Sequence, residues 1–392
     1  MTPIRIALFL SIVVTVLAGW HYYLWARLVR DPAWPRPVGP VLTGLLILLA
    51  VGPLVGMILR RTLGKVAIQP LLMGLYVWIG AGFMLLMGLV VADLLRSAAR
   101  LAGVGGGAGP EDPERRILLA RSVAVAASLG AAAVSVRGVR SVLGEMTTPE
   151  VPIRLARLPK QLDGLTIAQL TDIHIGSSLG GDFLKAVVER TNELRPDAIV
   201  ITGDLVDGSV AAIGDEVAHL AKLRSRYGTY FITGNHEYYS GHASWIAFLK
   251  KLGIPTLANE RVLLGDQGPG GATLDLAGIH DFQGASVPGH APDLETALEG
   301  RDPERELVLL AHQPKAAKMA ADAGVGLMLS GHTHGGQIQP FGALVRLVQP
   351  FLAGHHRKGD TQIYVSRGTG VWGPPMRIGA PAEISQLILT SG

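Results

Sequence analysis

Three stretches without one charged residue set the terms for this chain: Ile6–Ala26, Pro37–Leu59 and Val66–Ala92. A helix needs roughly 20 apolar residues to cross the hydrocarbon core of a bilayer, and each stretch meets that length. The first ends in Trp20, Tyr22, Tyr23 and Trp25, rings that favour the membrane–water interface. A fourth segment, Ser122–Val136, is shorter and alanine-rich. It follows the glycine-rich run Gly103–Gly109, a flexible linker, and then Glu114-Arg115-Arg116-Ile117-Leu118-Leu119. Two adjacent arginines ahead of a weak apolar segment resemble a twin-arginine export signal, here placed internally over residues 114–136. A plain fourth helix behind a basic loop is the other reading. The chain thus divides into a transmembrane region of about four helices, residues 1–140, and a soluble region, residues 150–392.

Charge bias orients the helices, because cytoplasmic loops carry an excess of Lys and Arg. With the N-terminus outside, the cytoplasmic side holds Arg27, Arg30, Arg36, Arg96, Arg100, Arg115, Arg116 and Arg121. The other side holds Arg5, Arg60, Arg61, Lys65, Arg137 and Arg140. The slight excess places a multi-pass protein in the cell membrane with its soluble region outside the cytoplasm. The three spans contain no Asp, Glu, Lys or Arg, which argues against a carrier, since charged residues inside spans mark ion and substrate pathways. Absence of cysteine excludes disulfides, thiolate zinc sites, iron–sulfur clusters and cysteine nucleophiles. The net charge of +4 on 392 residues makes no case for nucleic acid.

Beyond Val151 the pattern becomes strand, turn, helix. Strands are expected at Leu165–Leu170, Ala198–Thr202, Thr229–Thr233, Leu274–Ile279, Glu306–Ala311, Val325–Ser330, Ile363–Ser366 and Glu383–Leu389. Helices are expected at Asp182–Leu194, Gly214–Ser225 and Ser244–Leu252, and a hairpin turn at Gly265–Gly271. Such alternation argues an α/β layered fold, in which ligands bind beyond the carboxyl ends of the strands.

Eleven of the twelve histidines follow residue 170. Five polar clusters, each at a strand end, carry the chemistry: Asp172-x-His174, Gly203-Asp204-x-x-Asp207, Gly234-Asn235-His236-Glu237, His312, and Gly331-His332-Thr333-His334. Alternate residues on an extended segment point the same way, so Asp172 and His174 can face one ion, as can His332 and His334. Nitrogen and oxygen ligands without sulfur suit Mn, Fe, Zn or Co, with manganese favoured. The glycines before Asp204, Asn235 and His332 permit close backbone approach.

In that order these motifs resemble the calcineurin-like metallophosphoesterases, over about residues 150–392. The longer strings Thr171–Gly176, Gly331–Gln337 and Arg367–Gly370 look like the membrane-associated bacterial branch, some of whose relatives hydrolyse UDP-2,3-diacylglucosamine in lipid A synthesis. The resemblance implies a four-layer αββα sandwich and two divalent metal ions. By motif, Asp172, His174, Asp204 and His334 would hold the first ion. Asp204, Asn235, His312 and His332 would hold the second, with Asp204 bridging. His236 would protonate the leaving oxygen and Asp207 would orient it. The implied activity is hydrolysis of a phosphodiester or pyrophosphate bond, on a lipid- or nucleotide-linked substrate suggested by the membrane anchor. The lipid A intermediate and a non-catalytic metal-binding sensor are the alternatives.

Other histidines read as bland: His219 as helical surface, His290 as loop, His355 and His356 as a basic turn. His242 and His280 are candidates for substrate or supporting contacts. Trp245, Ile246, Phe248 and Leu249 follow helical spacing and are expected to face a sheet. The apolar segment Phe341–Phe351 reads first as core packing of a long loop and second as a lip for a lipid tail.

Overall fold

In the computed structural model, residues 3–63, 65–103, 112–144, 146–176 and 178–392 are described, so all but the first residue of the run Gly103–Gly109 lies outside them. The chain forms two units, Met1–Arg140 and Ser141–Gly392.

The first unit is helical: α1 Pro3–Trp25, α2 Val38–Leu63, α3 Lys65–Leu101 and α4 Pro113–Leu143. All four are long and apolar enough to cross a membrane. Pro53 and Pro70 lie inside α2 and α3, as membrane helices tolerate. Two expectations shift here. Helix α3 runs past Ala92 to take in Asp93, Arg96 and Arg100. The fourth segment is a continuous helix twice the expected length, and Arg115, Arg116 and Arg121 occupy its first turns rather than a loop. The reason is local: Arg and Ala are strong helix formers, and Pro113 stands at the first helical position, where its missing N–H costs nothing.

Among the described residues the second unit contains eleven strands: β1 Glu150–Leu155, β2 Leu165–Leu170, β3 Ala198–Ile201, β4 Thr229–Phe231, β5 Glu260–Gly265, β6 Thr273–Gly278, β7 Leu307–Leu310, β8 Leu327–Ser330, β9 Gly354–Lys358, β10 Thr361–Val365 and β11 Ser385–Ser391. They build one five-stranded sheet in the order β1-β11-β2-β3-β4 and one six-stranded sheet in the order β5-β6-β7-β8-β10-β9. Strands β5 and β6 pair antiparallel from Glu260↔Gly278 to Gly265↔Thr273, so the glycine-rich segment is the hairpin turn.

Helices α5 Gly181–Glu193, α6 Val210–Val217, α7 Asn235–Ser240, α8 His242–Lys251, α9 Leu294–Leu298, α10 Ala317–Asp322 and α11 Gly342–Val345 complete the unit. Helix α6 begins four residues earlier than the sequence suggests, after Ser209, and tightens into a 3₁₀ turn over Ala218–Lys222.

Alternate strand residues sort into three cores, which makes four layers. On β3, Ile199 and Ile201 join α5, α6 and α8 through Val187, Val217, Trp245 and Leu249. Val200 between them faces the second sheet, beside Leu276, Val308 and Leu387. On β8, Leu327 and Leu329 fill that middle core, while Met328 packs with Ala317 and Ala320 of α10. The period of two along a strand thus gives β3, β7 and β8 two buried faces each. That αββα arrangement leaves the polar strand ends as the place for function.

The segment Phe341–Phe351 overturns its first reading. Leu344, Leu347 and Val348 are 55%, 79% and 74% exposed, and Phe341 is 45% exposed. Its two ends are fixed: Phe341 N donates to Ile338 O, and Thr333 Oγ1 donates to Leu352 O. The turn between them therefore projects its apolar residues outward.

Candidate metal centre

The polar clusters meet beyond the ends of β2, β3, β7 and β8. Asp172 and His174 follow β2, yet neither lies in extended backbone: φ is +52° at Asp172 and +54° at His174. Asp204, His332 and His334 are also left-handed, at +50°, +70° and +50°. The convergence read from the sequence is present, but its cause is different. Strand alternation ends at Leu170 and Ser330, and left-handed turns aim the side chains. Non-glycine residues in that region cost of order 1–3 kcal/mol each and cluster at functional sites.

Hydrogen bonds and close backbone contact sustain the turns. His332 N donates to both oxygens of Asp172, at 3.0 and 2.9 Å. His236 N donates to Asp204 Oδ1 at 2.8 Å. A Cβ at Gly203, whose φ is +90°, would lie 2.6 Å from Gly234 N and 2.8 Å from His312 Nδ1. At Gly331 it would run into Asp172 Oδ2 and Thr171 Oγ1. Only glycine fits either place.

Two ligand groups result, Asp172–His174–His334 and Asp204–His312–His332, each with its ligand atoms within 4.8 Å of one another. His174 Nε2 and His334 Nε2 are 3.1 Å apart, and His332 Nδ1 and His312 Nε2 are 3.2 Å apart. Nitrogens about 2.1 Å from one ion stand roughly 3.0–3.4 Å from each other, so both spacings suit a shared cation. Asp204 joins the groups: its Oδ2 is 3.1 Å from His312 Nε2 and 3.9 Å from His174 Nε2. Asn235 Oδ1 is buried and accepts no hydrogen bond among the described residues. A buried acceptor without a donor costs about 1–3 kcal/mol, and coordination to a cation would remove that cost. The donor set and the orphaned oxygen both fit a divalent-metal pair.

Electrostatics follows from this crowding. Burial drives the Asp204 carboxyl up, but the charge and hydrogen bond of His312 override it and hold the group well below the usual range. Burial lowers His334 well below the ordinary imidazole value, with His174 and Arg377 adding to it. That keeps His334 neutral, as a metal ligand must be.

A third group, His174–Asp207–His236, adjoins the first two. Asp207 Oδ1 accepts from His236 Nδ1 at 2.5 Å and from His174 Nδ1 at 3.2 Å. One carboxylate thus fixes both rings. Burial disfavours the charged His236 ring, but the hydrogen bond to Asp207 and the charge of Asp204 prevail and raise it to about 9.

Several contributors have no role assigned from the sequence, although one of them, Glu237, stands inside a motif. Glu237 is buried and accepts from Gly234 N at 2.6 Å, Asp204 N at 3.0 Å and Leu205 N at 2.9 Å, locking two motif turns together. Arg377, 2% exposed, donates to the carbonyls of Gly368, Gly370 and Ala380. Tyr239 and Trp372 meet His236 edge-on, at ring-centroid distances of 5.3 and 6.0 Å, and both are exposed. His242 and His280 lie apart, with His290 and Tyr238. Tyr238 stacks on His242 at 4.8 Å, and its hydroxyl is 3.1 Å from His280 Nδ1. His355 and His356 are on β9, where His356 stacks on Phe351. His219 is in the 3₁₀ turn after α6.

The model of the calcineurin-like phosphoesterase family matches residues 165–336. A transmembrane protein with metallophosphoesterase domain from Bos taurus is 41% identical over 345 residues, 83% of this chain and 75% of that protein. That match extends past Ser141–Gly392 into the helical unit. A namesake from Danio rerio is 40% identical over 246 residues, 61% of this chain and 56% of its own length. An uncharacterized metallophosphoesterase of Helicobacter pylori is 41% identical over 255 residues, 64% of this chain and 66% of its own.

Proposed function

The chain belongs to the calcineurin-like phosphoesterase family, and on that premise we propose that it hydrolyses a phosphodiester or pyrophosphate bond of a lipid- or nucleotide-linked substrate at a two-metal site. The observation that carries the reading is the pair of ligand groups sharing Asp204, with the orphaned Asn235 Oδ1 beside them. Asp172, His174, Asp204 and His334 would hold one ion; Asp204, Asn235, His312 and His332 would hold the other. Manganese is the favoured metal. Divalent ions held by these residues would supply charge stabilisation for the phosphoryl group and a water of lowered pKa.

The remaining steps belong to side chains. Asp207 occupies His236 Nδ1, which leaves Nε2 to give a proton to the departing oxygen. A positioned acid contributes about 10²–10⁴-fold. Asp207 also holds His174 Nδ1, so the ring that binds metal and the ring that moves the proton turn on one carboxylate. Tyr239 and Trp372 wall the His236 side and offer apolar surface to the leaving group.

The lipid-linked form of the substrate rests on the exposed turn Phe341–Val348, which starts seven residues after His334. Contiguous exposed apolar side chains mark membrane or ligand contacts. In full-length protein in detergent, Leu347→Ser with Val348→Ser is expected to leave bis-p-nitrophenyl phosphate hydrolysis within about twofold. It should lower kcat/KM for a micelle-borne phospholipid pyrophosphate by about tenfold, since two exposed side chains of about 1 kcal/mol or less each are at stake. Equal loss on both substrates would reject the lipid contact.

The catalytic unit lies outside the cytoplasm in this reading, which follows the arginine excess near α1, α3 and the start of α4. Alkaline phosphatase fused after Gly392 should then be active. An inactive fusion, with a fluorescent one bright in the cytoplasm, would reverse the orientation and favour the UDP-diacylglucosamine substrate instead.

A further inference from the structure

The helical unit contains a polar cavity of about 500 Å³ that the hydrolytic reading leaves unused. It lies where α1 and α3 finish and α4 begins, and five arginines and two aspartates line it. A π-helical turn over Ala26–Arg30 carries Arg27 and Arg30 to its wall. The aspartates are already engaged. Asp93 Oδ2 accepts from Tyr23 Oη at 2.6 Å and Arg27 Nε at 2.9 Å. Asp31 pairs with Arg27 at 2.7 Å and Arg30 at 3.0 Å. Arg96 and Arg116 also face the cavity, and their guanidinium groups have no carboxylate partner among the described residues. Among the described residues the lining therefore sets five arginines against two aspartates.

We propose that this cavity binds the phosphate of an anionic phospholipid. Guanidinium forks match phosphate oxygens bidentately, and basic pockets between membrane helices recognise such headgroups. Two features favour a lipid over a free anion. First, Trp20, Tyr22, Tyr23 and Trp25 precede Arg27 by no more than two turns, which puts the cavity at headgroup depth. Second, the neighbouring turns expose Leu94 and Leu95 of α3 and Leu118 and Leu119 of α4, each more than half exposed. These side chains flank the polar lining with surface that acyl chains can cover. Arg121 braces the site by donating to Pro32 O and Ala33 O, both at 2.9 Å, and its guanidinium lies over Trp34 at 5.2 Å.

The test uses the full chain in detergent with fluorescent phosphatidylglycerol and phosphatidylcholine as probes. Wild type should bind phosphatidylglycerol in preference. Arg96→Ala with Arg116→Ala should weaken that binding about 30-fold, at roughly fivefold per lost juxtamembrane charge. Arg96→Lys with Arg116→Lys keeps the charge but loses the fork, so its affinity should fall between wild type and the alanine pair, which separates charge loss from misfolding. Excess inorganic phosphate should leave the lipid bound. Equal affinity of wild type and the alanine pair, or no preference between the two lipids, would overturn the proposal. Displacement by inorganic phosphate would also overturn it, identifying a site for soluble anions.

Discussion

Asp204→Asn is expected to lower hydrolysis of bis-p-nitrophenyl phosphate by at least 100-fold in the full-length protein. Groups that merely support a metal ligand typically contribute about 10–100-fold, and Asp204 stands between both ligand groups. Its main-chain neighbours remain in place in the variant, because Glu237 holds Asp204 N and Leu205 N independently of the Asp204 side chain. The loss should therefore come with reduced metal content and an unchanged far-ultraviolet circular dichroism spectrum. Wild-type turnover in Asp204→Asn would mean that the two groups do not act through a shared carboxylate.

The second large effect depends on the leaving group. His236→Gln should lower hydrolysis of an alkyl phosphodiester by about 10²–10⁴-fold. The p-nitrophenyl ester should lose roughly tenfold or less, since its phenolate departs without needing a full proton. Asp207→Asn should reproduce the alkyl defect and add a loss on the p-nitrophenyl ester, because Asp207 Oδ1 also fixes His174. Equal losses on both esters in His236→Gln would assign that ring to binding rather than proton transfer.

The sequence was most legible where a strand has both faces buried. Strands β3, β7 and β8 read as almost continuous apolar runs, the pattern of a doubly covered sheet. The strands it concealed are β1, β5 and β9, all at sheet edges. The string Gly-His-His-Arg-Lys of β9 carries almost no apolar signal, and pairing with β10 rather than composition makes it a strand. The motifs pointed to the nine residues proposed for the site, and each now lies in or beside the clusters. Less legible was how they converge. Left-handed turns at Asp172, His174, Asp204, His332 and His334 depend on contacts such as Glu237 bridging two motifs and Arg377 tying four carbonyls. Neither residue has a spacing that announces that task. The exposed turn 341–348 misled for the opposite reason: its composition matches a core segment, and only its fixed ends turn it outward.

The central claim is that two ions, bound through one shared carboxylate, are needed for turnover. Its most direct test is a titration of chelator-stripped full-length protein with manganese, following bis-p-nitrophenyl phosphate hydrolysis against bound metal per chain. The account predicts little activity at one equivalent and full activity only as the second is bound. Activity that saturates at one equivalent, or none with two ions bound, would contradict it.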